Sequence, residues 1–273
     1  MSKKQKRISV AIFATLIILI LSGIFLIKSP PGSTEEISEV MRDAVLHEKE
    51  KVSFFGISVN PGLVSAYTVT AILLILAVLI RIFAVPKFKM IPGKLQLLLE
   101  QAVGMFDGLA KDKSPHRNKF LSFYIFTAGS YIFTGTVFEL FGFQAITERG
   151  SPISLPAPLA DINGAIALGM LSYGVILIGG LVANGFGGMF KALKDFSLPI
   201  SMSFRLFGAL LSGALVTELV YYYYSLSFVI PVVVGILFTL LHAVIQAYVL
   251  TMLTAQFYGE STEKSEKRRK KSE

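Results

Sequence analysis

The sequence predicts an all-α fold: a polytopic helical membrane protein with about six hydrophobic helices. Three observations carry that prediction. Of 273 residues, 53% are hydrophobic and only 16% are charged, with a mean hydropathy of +0.65, far more apolar than a soluble domain of this length. The apolar residues gather in long uninterrupted runs, and the charges are confined to tails and loops. A water-soluble globule is excluded, and so is disorder, because a chain this rich in Phe, Leu, Ile and Val has ample surface to bury. Cysteine is absent, which removes disulfides, thiolate nucleophiles and Cys-based zinc sites. With three histidines in all, a histidine-built metal centre is not expected, and no cofactor is implied.

The apolar runs fall at 8–27, 63–85, 120–141, 164–187, 198–223 and 228–257. Each is long enough to cross a hydrocarbon core of roughly 30 Å, which takes about 20 helical residues. The first has a basic start, Lys3, Lys4, Lys6 and Arg7. Its length exceeds the ~7–15 residues of a signal-peptide core and no small-x-small cleavage site follows, so residues 1–27 read as an uncleaved anchor. Residues 28–61 form an external segment that opens on Pro30-Pro31-Gly32-Ser33 and continues as a short charged helix over 35–50. It is expected to serve as a solvated connector or as a docking or gating element.

After the second run, Pro92-Gly93 breaks the chain, and Leu95, Leu98, Leu99, Val103, Phe106 and Leu109 recur at helical spacing. That pattern predicts an amphipathic helix lying on the membrane interface or packed on a neighbour. Residues 62–258 make up the membrane domain and 259–273 a basic tail, attracted to anionic lipid with no specific partner. The basic clusters at both ends, at 87–119 and at Lys191 and Lys194 share one side if the chain crosses six times, while the segment after the first run is acidic. The positive-inside rule then puts both termini in the cytoplasm. The formal charge of +8 is a sum over such loops, with no nucleic acid implied.

Between residues 196 and 259 the formal charges are Arg205 and Glu218, joined by His242. A guanidinium stays protonated under all ordinary conditions. Placing one within a span costs at least about 2.5–3.5 kcal/mol, so Arg205 is a functional hypothesis, with snorkelling to the nearby interface as the alternative. Gly208, Ala209, Ser212 and Gly213 follow it at i+3, i+4, i+7 and i+8, so the arginine-bearing face is otherwise made of small side chains. Such a face lets another helix approach, either a partner bearing a carboxylate or a helix of the same chain. His242 and Gln246 share one face of the last run. Glu218 lies roughly 20 Å from Arg205 along a straight helix, too far for a direct ion pair; it is an ion-uptake carboxylate or a wet interfacial one. Asp161 and Asn163 open the fourth run, where Asp161 has an evident role as a helix cap. Glu139, at the outer end of the third run, is similarly ambiguous. No phosphate loop, metal motif or nucleophilic triad stands out.

The stretch Ser203-Phe204-Arg205-Leu206-Phe207-Gly208 resembles the S-x-R-L-F-G hallmark of the a subunit of rotary ATP synthases. Three further segments are similar to that family in matching order: Gln246-Ala247-Tyr248-Val249 with Leu253-Thr254, Pro158-Leu159-Ala160-Asp161-Ile162-Asn163, and Pro92-Gly93-Lys94-Leu95-Gln96 with Glu100. The resemblance covers residues 60–258. It implies a non-catalytic, ion-conducting stator, with the proton as the expected ion. Its partners would be a rotating ring of c subunits, a peripheral-stalk b subunit and the remainder of the synthase, in a bacterial plasma membrane. Ions would enter by one half-channel and leave by another, with Arg205 facing the ring carboxylate between them and Gln246, Glu218, His242, Asp161 and Asn163 along the path. It also implies that the last two helices are strongly tilted. Where many members carry Asn and Glu after the arginine, this chain has Ala209 and Ala214, and Glu218 stands one turn beyond as the replacement carboxylate. The competing reading is a stand-alone secondary transporter or channel for an anionic substrate, though no internal repeat is visible. A lipid-modifying enzyme lacks the acid, base and metal ligands it would need.

Overall fold

The computed structural model describes residues 51–54, 57–147, 150, 152–222 and 230–263, with residues 15, 18, 22 and 38. The expected first span, the charged helix at 35–50 and the tail beyond residue 263 lie outside the described residues apart from those four positions. Contacts divide the chain into two compact units, one of Glu50–Leu210 with Leu240–Glu273 and one that includes Leu211–Thr239.

The first described element is an antiparallel hairpin, β1 (Val52–Phe54) and β2 (Ile57–Val59), with Val52 opposite Val59. Helix α1 (Pro61–Leu79) follows. Asn60 caps it by accepting a hydrogen bond from the Gly62 N–H at 3.0 Å, and Pro61 sits at the first helical position, where no N–H is needed. Pro86 cannot donate to the carbonyl of Ile82. Ahead of it the helix widens into a π turn over Ile80–Ala84 and closes as a 3₁₀ turn over Val85–Lys87.

Helix α2 (Lys94–Lys113) is the amphipathic element, and α3 (Lys119–Phe138) is the next span. Their pairing rests on the C-terminal half of α2. Phe106 meets Phe126 edge-on at 5.7 Å, and Ala110 is buried. The predicted stripe is present, yet Leu95, Leu98 and Val103 remain exposed, so among the described residues only the half around Phe106 and Ala110 is covered. A second hairpin, β3 (Gln144–Ile146) with β4 (Pro152–Ser154), is joined to the first by a bridge between Val52 and Thr147.

Helix α4 (Ile162–Asn184) turns through Gly185 into the short α5 (Phe186–Leu193). Helices α6 (Ser197–Tyr222) and α7 (Ile230–Thr262) complete the chain. Among the described residues, five helical stretches are long and apolar enough to cross a membrane: Pro61–Lys87, Lys119–Phe141, Ile162–Asn184, Ser197–Thr217 and Val233–Thr262. The 33 residues of α7 extend about 50 Å at 1.5 Å each, well beyond a hydrocarbon layer of roughly 30 Å. Such a helix fits a bilayer only when tilted or with one end outside it. Within the first unit the core is built from Leu121, Ile125 and Ile132 of α3, Ile176 of α4, and Met202 and Leu206 of α6, with Leu250 and Ala255 of α7.

Helix α7 runs past residue 259, where the basic tail was expected to begin. Its last carbonyls, which no helical N–H satisfies, find donors on other elements. Asn184 Nδ2 donates to the carbonyls of Ser261 (3.2 Å) and Glu263 (2.8 Å), and Lys191 Nζ donates to that of Glu260 (2.6 Å). A lysine at this end also complements the helix dipole. Thr262 Oγ1 lies 3.0 Å from His116 Nε2, and Ser261 Oγ donates to the Ile176 carbonyl at 3.3 Å. Gly259 lies flush on α2, where any Cβ would collide with the carbonyl oxygen of Lys113. Gly259→Ala is therefore expected to lower the stability of the purified chain in detergent by about 1–3 kcal/mol. Gly174→Ala, at a helical position with nothing within 4 Å of the added carbon, is the control, expected to be neutral or stabilising by up to about 1 kcal/mol. Thermal unfolding of the two variants checks the contrast.

Candidate functional site

The site is built on the rotation of α6 about its own axis. Ser203 is buried, and its hydroxyl donates to the Pro199 carbonyl at 2.7 Å. Across from it, Gly169 of α4 has no room for a Cβ, which would collide with Ser203 Oγ. This close approach, with Met202, Leu206 and Leu210 also buried, fixes which face of α6 points inward. At about 100° per residue, Arg205 stands some 200° from Ser203. It is exposed, as are Ser201, Phe204 and Gly208. A Cβ added to Gly208 would meet nothing within 4 Å, and Ala209 is half-buried.

Arg205 is eight residues into the apolar stretch that begins at Ser197, about 12 Å along the helix. Among the described residues it makes no hydrogen bond and no ion pair. Farther along α6, Ser212 is exposed and Gly213 half-buried, while the Glu218 side chain lies outside the described residues.

On α7, Gln246 is 6% exposed, and its Oε1 has no hydrogen-bond partner. It shares the inward face with Ala243, Ala247 and Leu250, and His242, one turn earlier, is half-buried. The buried threonine hydroxyls that follow on α7 are satisfied within the helix: Thr251 donates to Ala247 and Thr254 to Leu250, each at 2.8 Å. Gln246 is the exception, a costly one, since an unmade hydrogen bond in an apolar interior is worth about 1–3 kcal/mol. No hydrogen bond joins it to Arg205.

The remaining sequence-predicted residues gather at the start of α4. Asp161 is its N-cap, with Oδ1 accepting from the Asn163 N–H at 2.9 Å and from Asn163 Nδ2 at 3.1 Å. The first turn of α1 packs on it, since a Cβ at Gly62 would come 2.8 Å from the Asp161 Cβ and 3.5 Å from Asn60 Oδ1. Asn60, absent from the sequence-based candidates, is thus part of the same polar group. Asn immediately before Pro at a helix start was the available signal. A hydrogen bond of 2.7 Å between the Tyr124 and Ser172 hydroxyls links α3 to α4. No spacing rule pairs residues 48 apart on different helices, so this contact was not foreseen.

Residues 65–259 match the family model described as ATP synthase A chain. The chain is 27% identical over 210 residues to an ATP synthase subunit a of Histophilus somni (strain 129Pt), covering 64% of this chain and 79% of that protein. It is 25% identical over 210 residues to an ATP synthase subunit a of Cereibacter sphaeroides (strain ATCC 17025 / ATH 2.4.3), covering 72% and 80%. The capping role of Asp161 separates from any role in conduction by substitution. Asp161→Ala is expected to cost about 1 kcal/mol of stability and Asp161→Asn almost nothing, because Asn caps as well as Asp. Thermal unfolding in detergent measures both.

Proposed function

The chain belongs to the ATP synthase A chain family, and from that premise we propose that it is the ion-conducting stator of the synthase's membrane sector, translocating protons against a rotating ring of c subunits. The observation that carries the reading is Arg205, exposed on an apolar helix and without an ionic partner among the described residues. An arginine facing lipid alone would cost several kcal/mol. A carboxylate on a membrane partner removes that cost, and Gly208, with open space beside it, allows the partner to come close.

Arg205 then works by electrostatics. Opposite charge in a poorly solvated site favours the ionised carboxylate, so a ring carboxyl arriving as the neutral acid gives up its proton near the arginine. It takes another before it re-enters lipid. Because the guanidinium holds its own proton, it cannot relay one, and the two half-channels stay separate. Each unit charge carried through 100 mV releases about 2.3 kcal/mol, which drives rotation. Asp161, Asn163, His242 and Gln246 are assigned to the conduction path, and Glu218 to ion uptake. The unpartnered Gln246 Oε1 supports that assignment, since it offers an acceptor to a passing water or ion. In this arrangement the chain binds no nucleotide and performs no catalysis. Its termini are cytoplasmic, its membrane is a bacterial plasma membrane, and a peripheral-stalk b subunit holds it still.

Arg205→Ala is expected to reduce ion-driven ATP synthesis in membranes to background; synthesis at the parent rate in that variant rejects the reading. Gln246→Leu removes the unsatisfied buried oxygen. The variant chain is expected to be as stable as the parent or more so, yet slower in ion-driven synthesis, as parallel thermal melts and synthesis rates would reveal.

A further inference from the structure

The loop between α1 and α2 has an unusual combination of order and exposure. Gln96, in the first turn of α2, reaches back and holds both backbone groups of Lys89: its Oε1 accepts from the Lys89 N–H at 3.0 Å and its Nε2 donates to the Lys89 carbonyl at 2.9 Å. The same Nε2 donates to Glu100 Oε1 at 2.7 Å, which fixes the amide in place. Leu97 N–H closes the turn on the Gly93 carbonyl at 2.8 Å. A loop so held could tuck its apolar side chains against the bundle. Instead it presents Met90 completely exposed and Ile91 86% exposed.

The charges around this tip share one sign. Arg81, Lys87, Lys89 and Lys94 are all exposed, and residues 80–99 contain no acidic residue. The next carboxylate along the chain, Glu100, accepts a hydrogen bond from Gln96. The loop begins where the apolar stretch Pro61–Lys87 ends, and beyond it Leu95 and Leu98 of α2 are exposed as well. Apolar tips flanked by lysines at the end of a span match the layered chemistry of a bilayer surface, with hydrocarbon beneath and phosphate above. We infer that the clamped loop over residues 87–94 is a binding site for anionic phospholipid, with Met90 and Ile91 in the acyl region and Lys87, Lys89 and Lys94 on the headgroup phosphates. A protein partner would have to supply an apolar pocket and several acidic groups together; the lipid leaflet already has both layers. This inference stands independently of the ion-conducting role.

The chain contains no tryptophan, so Met90→Trp introduces a single indole reporter. The full-length variant is reconstituted into vesicles of phosphatidylcholine and phosphatidylglycerol, with one or the other lipid brominated on its acyl chains. Indole emission is expected to be quenched by brominated phosphatidylglycerol well beyond that lipid's mole share, as a headgroup preference of up to about fivefold in affinity for each contacting lysine at low salt produces. Replacing Lys87, Lys89 and Lys94 together by Gln is expected to bring the quenching down to the mole share, and Arg at the same positions to preserve the excess. An indole quenched by neither lipid overturns the inference, as does quenching blind to headgroup in the parent loop.

Discussion

The approach of Gly169 to Ser203 is the constraint on which the functional geometry depends. Because α4 and α6 touch there with no space for an intervening carbon, α6 cannot rotate without breaking that contact. Two residues further on, that rotation decides whether a guanidinium faces the core or the outside. A larger residue at either position would separate the helices and leave the arginine's direction to weaker forces. The pair is also polar at minimal cost, since Ser203 returns its hydroxyl hydrogen to its own helix. Backbone and side-chain groups without water must find partners internally, and this one does so without needing a group on α4.

The same economy runs through the interior. Thr136, Ser172, Ser203, Thr251 and Thr254 are buried and donate to the carbonyl four residues earlier. Hydroxyls handled this way act as small packing groups. Against that background a buried amide with an unpaired oxygen is conspicuous, and Gln246 is distinguished by its unmet bond more than by its polarity.

Much of this was legible in the sequence. Spans were readable because uninterrupted apolar runs near 20 residues are rare in chains that fold in water, and Arg205, Gln246 and Asp161 could be singled out because each is a polar residue in or beside such a run. Less accessible were the hairpins at 52–59 and 144–154. Their strands are three residues each, too short for alternation to register, and they are stabilised by pairing across the chain, through Val52 and Thr147. Nor could periodicity tell that, among the described residues, only the half of the α2 stripe around Phe106 and Ala110 is covered. A helical repeat identifies a face and is silent about what meets it. Nor could the sequence reveal the anchoring of the end of α7, because the donors that hold it, Asn184 and Lys191, lie about 70 to 80 residues away.

That anchored end has a mechanical meaning. Carbonyls of Glu260, Ser261 and Glu263 are gripped from α4 and α5, and the backbone at Gly259 rests on the end of α2. Helix α7 is therefore built in at its C-terminal end like a cantilevered beam, with its root spread over three other elements. A beam fixed at its root is displaced least near the support. Side loads on α7 are thus carried into the scaffold at residues 259–263, and Gln246, packed on the inward face of the same helix, stands roughly four turns from that root.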